Sequence, residues 1–169
     1  MEIIKLSKNG YRINNIFSDE LINELLETNK VFQADSTRRG DEGAQREVFY
    51  INGELLEKVR NAVFSLKAHG LAIGLHGAHE LWRDYAGYNN QWHFDDPVNV
   101  KNIMIIYLDD MPARLGTQYT EDDEVYAVAA KKNTALLLMN ADKVEHGMIS
   151  RVPENVIRRT LYINWKNNV

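Results

Sequence analysis

The 169-residue sequence contains no cysteine. That excludes a disulfide framework, a thiolate zinc site, an iron–sulfur cluster and a cysteine nucleophile. It fits a reducing compartment, and a cytoplasmic location is the expectation. Basic residues are in the minority, with 20 Lys and Arg against 24 Asp and Glu for a net charge of −4. A duplex-binding protein normally shows a basic excess, so nucleic acid is not an expected partner. No stretch approaches ~18 consecutive apolar residues, so no membrane span is expected. The opening Met1–Lys5 is not a basic segment leading into a long apolar run, so no signal peptide is expected. Repeats, low-complexity tracts and convincing linkers are also missing, which leaves one domain over 1–169. Hydrophobic residues make up 44% of the chain. A chain of this length buries roughly 70% of its unfolded surface and needs no staple to fold.

The apolar pattern divides the chain into two parts. Residues 2–6 alternate loosely, as in a short strand. Ser18 reads as an N-cap, and Leu21, Ile22, Leu25 and Leu26 recur at helical spacing after it. Leu55, Leu56, Val59, Ala62, Val63 and Leu66 predict a second helix from about Gly53 to His69, closed by Gly70. Between the helices, Ala34 to Glu47 is charged and almost without apolar residues. It predicts a surface loop, either a solvated connector or a lid carrying Arg38, Arg39 and Arg46 towards an anionic substrate. Beyond Gly70, strand-like runs are predicted at about 71–76, 79–86, 102–108, 124–129, 134–139 and 156–165, separated by turn residues. Helices first and strands afterwards predict an α+β protein, mainly β, with helical support over about 1–70 and a β core over about 71–169.

Three features of the strand-rich part carry chemistry. In Gln91-Trp92-His93-Phe94-Asp95, strand geometry turns His93 and Asp95 to one face. His146, 51 residues after Asp95, is far enough along for a barrel of short strands to bring it back opposite them. The final strand carries Arg158 and Arg159, and a buried guanidinium calls for an anion. Two histidines and one carboxylate on one face, with other positions open, form the facial triad of non-haem Fe(II) oxygenases. Adjacent strand residues alternate, so only one of the two arginines can face the interior. His69, His76 and His79 do not share a face and are read as structural, Asp96 as a turn cap, and Lys131-Lys132 as a solvated turn.

Trp82 to Trp165 resembles the 2-oxoglutarate- and Fe(II)-dependent dioxygenase superfamily, in its prolyl-4-hydroxylase-like branch. The resemblance rests on Tyr85-Ala86-Gly87, His93-Phe94-Asp95, Tyr107-Leu108-Asp109, Gly116-Thr117-Gln118-Tyr119, His146 and Arg159 with Trp165, in that order. Gly116-Thr117 departs from the family's commoner Gly-Gly. The resemblance implies a double-stranded β-helix, a jelly-roll or cupin-like core with supporting N-terminal helices. It implies Fe(II) held by His93, Asp95 and His146, with 2-oxoglutarate and O2 as co-substrates and ascorbate as a reductant. Members convert 2-oxoglutarate to succinate and CO2 while hydroxylating a peptidyl proline, an amino acid or a small metabolite. The implied partner is therefore a peptide or small molecule. The family's arginine-to-tryptophan spacing selects Arg159 over Arg158 for 2-oxoglutarate, with Tyr85 and Tyr107 as further contacts. The similar halogenating enzymes lack the carboxylate ligand, so Asp95 favours hydroxylation. Two other readings stay open: a jelly-roll binding protein without catalysis, and a zinc hydrolase built on the same three ligands.

Overall fold

The computed structural model describes residues 1–27, 29–35, 46–74 and 77–166. Its strands and α-helices follow in chain order as β1 (Glu2–Lys5), β2 (Gly10–Asn14), α1 (Asp19–Leu26), β3 (Gln33–Ala34), β4 (Arg46–Tyr50), α2 (Gly53–Phe64), β5 (His79–Asp84), β6 (Asn102–Tyr107), β7 (Thr117–Glu121), β8 (Glu124–Val128), β9 (Thr134–Leu138), β10 (His146–Met148) and β11 (Arg158–Trp165). The protein is mainly β and its ladders are antiparallel.

Local chemistry explains the helices. Ser18 caps α1 by accepting from the Leu21 amide at 3.3 Å, and Asp19 and Glu20 sit in the first turn, where the helix dipole favours them. Leu21, Ile22 and Leu25 form its buried stripe. The second helix keeps α geometry only to Phe64 and tightens into a 3-10 turn over Ser65–His69. Gly70 ends it in the left-handed region at φ 80°, which glycine adopts without strain.

The large sheet has the order β1-β2-β9-β6-β11-β5-β4-β3, and the small sheet β10-β7-β8. Strands β6 and β9 are buried along their whole length because both faces of the large sheet are covered. One face packs Met104, Ile106, Leu137, Leu161, Ile163 and Trp165 against the helices. The opposite face packs Trp82, Ile103, Ile105, Tyr107 and Tyr162 against Tyr119, Val128 and Met148 of the small sheet. The space between the two sheets holds the candidate site. Among the described residues, no helix is long and apolar enough to cross a membrane.

Several elements differ from the sequence expectation. Residues 71–74 form no strand. Leu71 and Ile73 instead bury against the helix-side core, and the Ala72 carbonyl accepts from the Trp165 indole at 3.2 Å. Strands β2 and β4 are not anticipated by the apolar pattern. Of the expected 34–47 loop, residues 36–45 lie outside the described residues, as does His76. Arg46 and Glu47 are not loop at all: they open β4, and Arg46 is buried.

Candidate active site

Backbone pairing assembles the candidate metal ligands. His93 and His146 form an isolated antiparallel bridge. Each donates its amide to the other's carbonyl at 2.9 Å. The two histidines are thus direct cross-strand neighbours, and their rings lie 4.3 Å apart. The small sheet fixes His146 opposite Tyr119. Gly147 permits the close crossing, since a Cβ there would come within 2.9 Å of the Gln91 backbone. Asp95 follows two residues after His93, and its amide donates to the Ala141 carbonyl.

The tautomers follow from the same backbone. His93 Nδ1 lies 2.8 Å from the Gln91 carbonyl, and His146 Nδ1 lies 2.8 Å from the Val144 carbonyl. A carbonyl only accepts, so both Nδ1 atoms carry the proton and both Nε2 atoms are left with a lone pair. Those Nε2 atoms face the Asp95 carboxylate at 3.9 Å for His93 and 3.5 Å for His146. One ligand atom from each of the three residues lies within 4.8 Å of the other two. Two imidazole nitrogens and one carboxylate oxygen suit a divalent first-row metal, and the backbone carbonyls orient the imidazoles from behind.

Burial holds His146 down to about 4, against the pull of the Val144 carbonyl and with His93 acting alongside burial. The unfolded chain binds this proton near pH 6.5, whereas the folded chain refuses it until about 4. The metal-free protein is therefore expected to lose stability as pH falls from 6.5 towards 4, by up to roughly 3 kcal/mol. Urea unfolding with a chelator present, repeated across that range, measures the slope. A His146→Asn variant should flatten it.

The triad opens into a cavity of about 410 Å³ that Arg46, Trp82, Thr117, Arg158 and Tyr162 also line. Arg158 is 2% exposed. Its Nε donates to the Leu115 carbonyl at 2.8 Å and its Nη1 to Asp84 Oδ2 at 2.7 Å. Two residues on, along the same face of β11, Thr160 Oγ1 is buried with no hydrogen-bond partner among the described residues.

The candidates that the sequence proposes separate here. His93, Asp95 and His146 come together. Arg159 does not join them: its guanidinium is 39% exposed and pairs with Asp109 at 2.5 Å. The reason is strand parity. Leu161, Ile163 and Trp165 belong to the helix-side core, so Arg159 shares their face; Arg158, Thr160 and Tyr162 share the opposite face, from which Arg158 and Tyr162 line the cavity. Tyr85 is also elsewhere, donating its hydroxyl to Glu47. Tyr107 is fully buried and donates to Thr117 Oγ1 at 2.9 Å. Its ring centroid lies 5.6 Å from the Arg158 guanidinium. Burial pushes the Tyr107 phenol up, against the lowering effect of Arg158, so it stays a neutral donor. Asp96 caps its own turn by accepting from the Val98 amide and the Asn99 side chain. His69 ends the 3-10 turn and His79 lies buried in β5.

The fold is similar to those of solved prolyl hydroxylases and of a 2OG-Fe(II) oxygenase family member from Burkholderia pseudomallei. A prolyl hydroxylase from Trichoplax adhaerens, solved with a hypoxia-inducible-factor peptide, superposes with a TM-score of 0.73 at 14% identity, covering 95% of this chain and 84% of that one. A prolyl-4-hydroxylase from Pseudomonas putida gives 0.67 at 12% identity, with coverage of 95% and 94%. HygX from Streptomyces hygroscopicus, solved with nickel and 2-oxoglutarate bound, gives 0.67 at 11% identity, with coverage of 92% and 82%. No family model and no curated protein matches by sequence.

Proposed function

We propose that this single-domain chain is an Fe(II)- and 2-oxoglutarate-dependent oxygenase that hydroxylates a peptide segment or small molecule, with peptidyl proline or a free amino acid as the first substrates to try. The two facing sheets are read as a double-stranded β-helix. The observation that carries the reading is the cavity itself, which joins an open two-histidine, one-carboxylate triad to a buried arginine. Ferrous iron supplies the dioxygen chemistry when bound, with ascorbate as a reductant that keeps it ferrous. His93, Asp95 and His146 would hold the ion from one side, leaving positions for a 2-oxo acid and O2. Arg158 would pair with the far carboxylate of 2-oxoglutarate by charge-assisted hydrogen bonds. Thr160 offers that carboxylate a further donor. Tyr107 acts through Arg158 by packing beside its guanidinium. Arg159 and Tyr85 receive no ligand role. Water activation in a hydrolase has no use for a buried guanidinium in the cavity, so the oxygenase reading is preferred over it.

The test is an anaerobic titration of Fe(II)-loaded protein with 2-oxoglutarate, following the weak visible charge-transfer band that a 2-oxo acid gives on ferrous iron. A band is expected. It should disappear at low 2-oxoglutarate in Arg158→Ala and persist in Arg159→Ala. Folded, iron-loaded protein that shows no band at any concentration would overturn the proposal.

A further inference from the structure

Arg158 leaves a second buried arginine of the same cavity unexplained. Arg46 enters from the start of β4 and is 1% exposed. Its guanidinium lies between two rings, 3.6 Å from the Trp82 centroid and 4.3 Å from that of Tyr88. Tyr162 stacks on Trp82 at 4.2 Å, behind it. Nε and Nη2 of Arg46 meet Asp84 Oδ1 and Oδ2 at 2.5 and 3.1 Å. Arg158 Nη1 meets the same Oδ2 at 2.7 Å. Two guanidiniums therefore share one carboxylate, and both line the cavity.

The shared carboxylate leaves the trio with one net positive charge. Burial works against the Arg46 charge, but Asp84 more than offsets this and holds the guanidinium above its usual pKa. Asp35 adds to this through space from the end of β3, where it is only partly buried. Glu80, the other buried acid on the cavity-facing side of β5, accepts from the Trp82 indole at 2.7 Å. A buried net charge is costly until a counter-ion arrives. The Trp82 and Tyr88 rings hold the guanidinium of Arg46 in place beside the cavity. A rigidly held cation that lines a cavity, in a cluster with net positive charge, is built to receive an anion.

We propose that Arg46 is a second, specificity-determining cation of the cosubstrate pocket: yoked to Arg158 through Asp84, it helps receive the distal carboxylate of a dicarboxylic 2-oxo acid and disfavours 2-oxo monoacids. The inference rests on the 2-oxoglutarate reading above and adds to it the residue that counts charge. A purely structural Arg46 would support every ligand of the cavity equally. A charge-counting Arg46 acts only on ligands that bring a distal carboxylate.

The experiment compares the binding of 2-oxoglutarate and 2-oxopentanoate, which has the same chain length without the distal carboxylate, to Mn(II)-loaded protein by calorimetry. In Arg46→Gln, affinity for 2-oxoglutarate is expected to fall about tenfold or more, as loss of a charge-assisted hydrogen bond implies. Affinity for 2-oxopentanoate and for Mn(II) should stay within about threefold, because neither meets Arg46 directly. Arg46→Lys keeps the charge and should recover most of the preference for the dicarboxylate. If Arg46→Gln does not fold, Arg46→Met takes its place in the same comparison, since it removes the charge and keeps an apolar stem to pack on Trp82. Equal weakening of both acids, or no change in either, overturns the role of Arg46 while the oxygenase reading stands. Failure of wild-type protein to bind 2-oxoglutarate at all overturns both.

Discussion

Succinate formation from 2-oxoglutarate is expected to fall by about a thousandfold or more in Asp95→Ala, equivalent to ~4 kcal/mol of lost transition-state stabilisation. Asp95 supplies the one anionic ligand among three whose donor atoms lie within 4.8 Å of one another. Both imidazoles are neutral ligands, since backbone carbonyls keep the proton on Nδ1. Removing the carboxylate therefore changes the charge of the site as well as its coordination. Metal content after dialysis and the succinate assay should fall together, while the melting temperature of the metal-free protein holds. Turnover within tenfold of wild type in a folded Asp95→Ala protein would place the chemistry elsewhere.

A second large effect should appear in stability. Asp84→Ala is expected to destabilise the protein by about 3–5 kcal/mol in urea unfolding at neutral pH, because it strands buried charge rather than merely breaking a pair. Asp84 is completely buried and is the carboxylate that Arg46 and Arg158 share. Its loss leaves two guanidiniums, each almost without solvent, beside one another. The double variant Asp84→Ala/Arg46→Met should recover part of the loss, since it removes one of the stranded charges and replaces it with an apolar stem that still packs on Trp82. If the double variant is less stable than Asp84→Ala, then the packing of Arg46 matters more to the fold than its charge.

The grouping of the candidate metal ligands is legible in the sequence because part of their geometry is local. His93 and Asp95 are two apart in extended chain, and a strand needs nothing more to turn them to one side. The arginines are not legible, for two different reasons. Arg158 and Arg159 are equivalent by composition, and the choice depends on which sheet face carries Trp165. Counting from Trp165 selects its own face, which the helices α1 and α2 cover. Parity with Thr160 and Tyr162 selects the other. Arg46 is hidden by its neighbours. It follows a polar, glycine-containing run that reads as loop, and it is buried by Trp82, Tyr88 and Asp84, residues far along the chain. Strands β2 and β4 escape for a similar reason: Gly10–Asn14 and Arg46–Tyr50 are short and mix polar with apolar residues. They become strands because β9 and β5 offer them ladders.

The bridge between His93 and His146 bears on how the proposed centre would handle a metal over time. Two of the three ligands are held in register by backbone hydrogen bonds that form when the sheets form. The entropy of gathering those ligands is spent during folding and not at the moment of capture. Such a chelate is preorganised, in contrast to small metal domains whose chain collapses only around the ion. A metal bound there would stabilise the fold by simple mass action, in proportion to the logarithm of its free concentration over its dissociation constant once that ratio is large. One ion would then exchange for another at the proposed centre without unfolding of the scaffold.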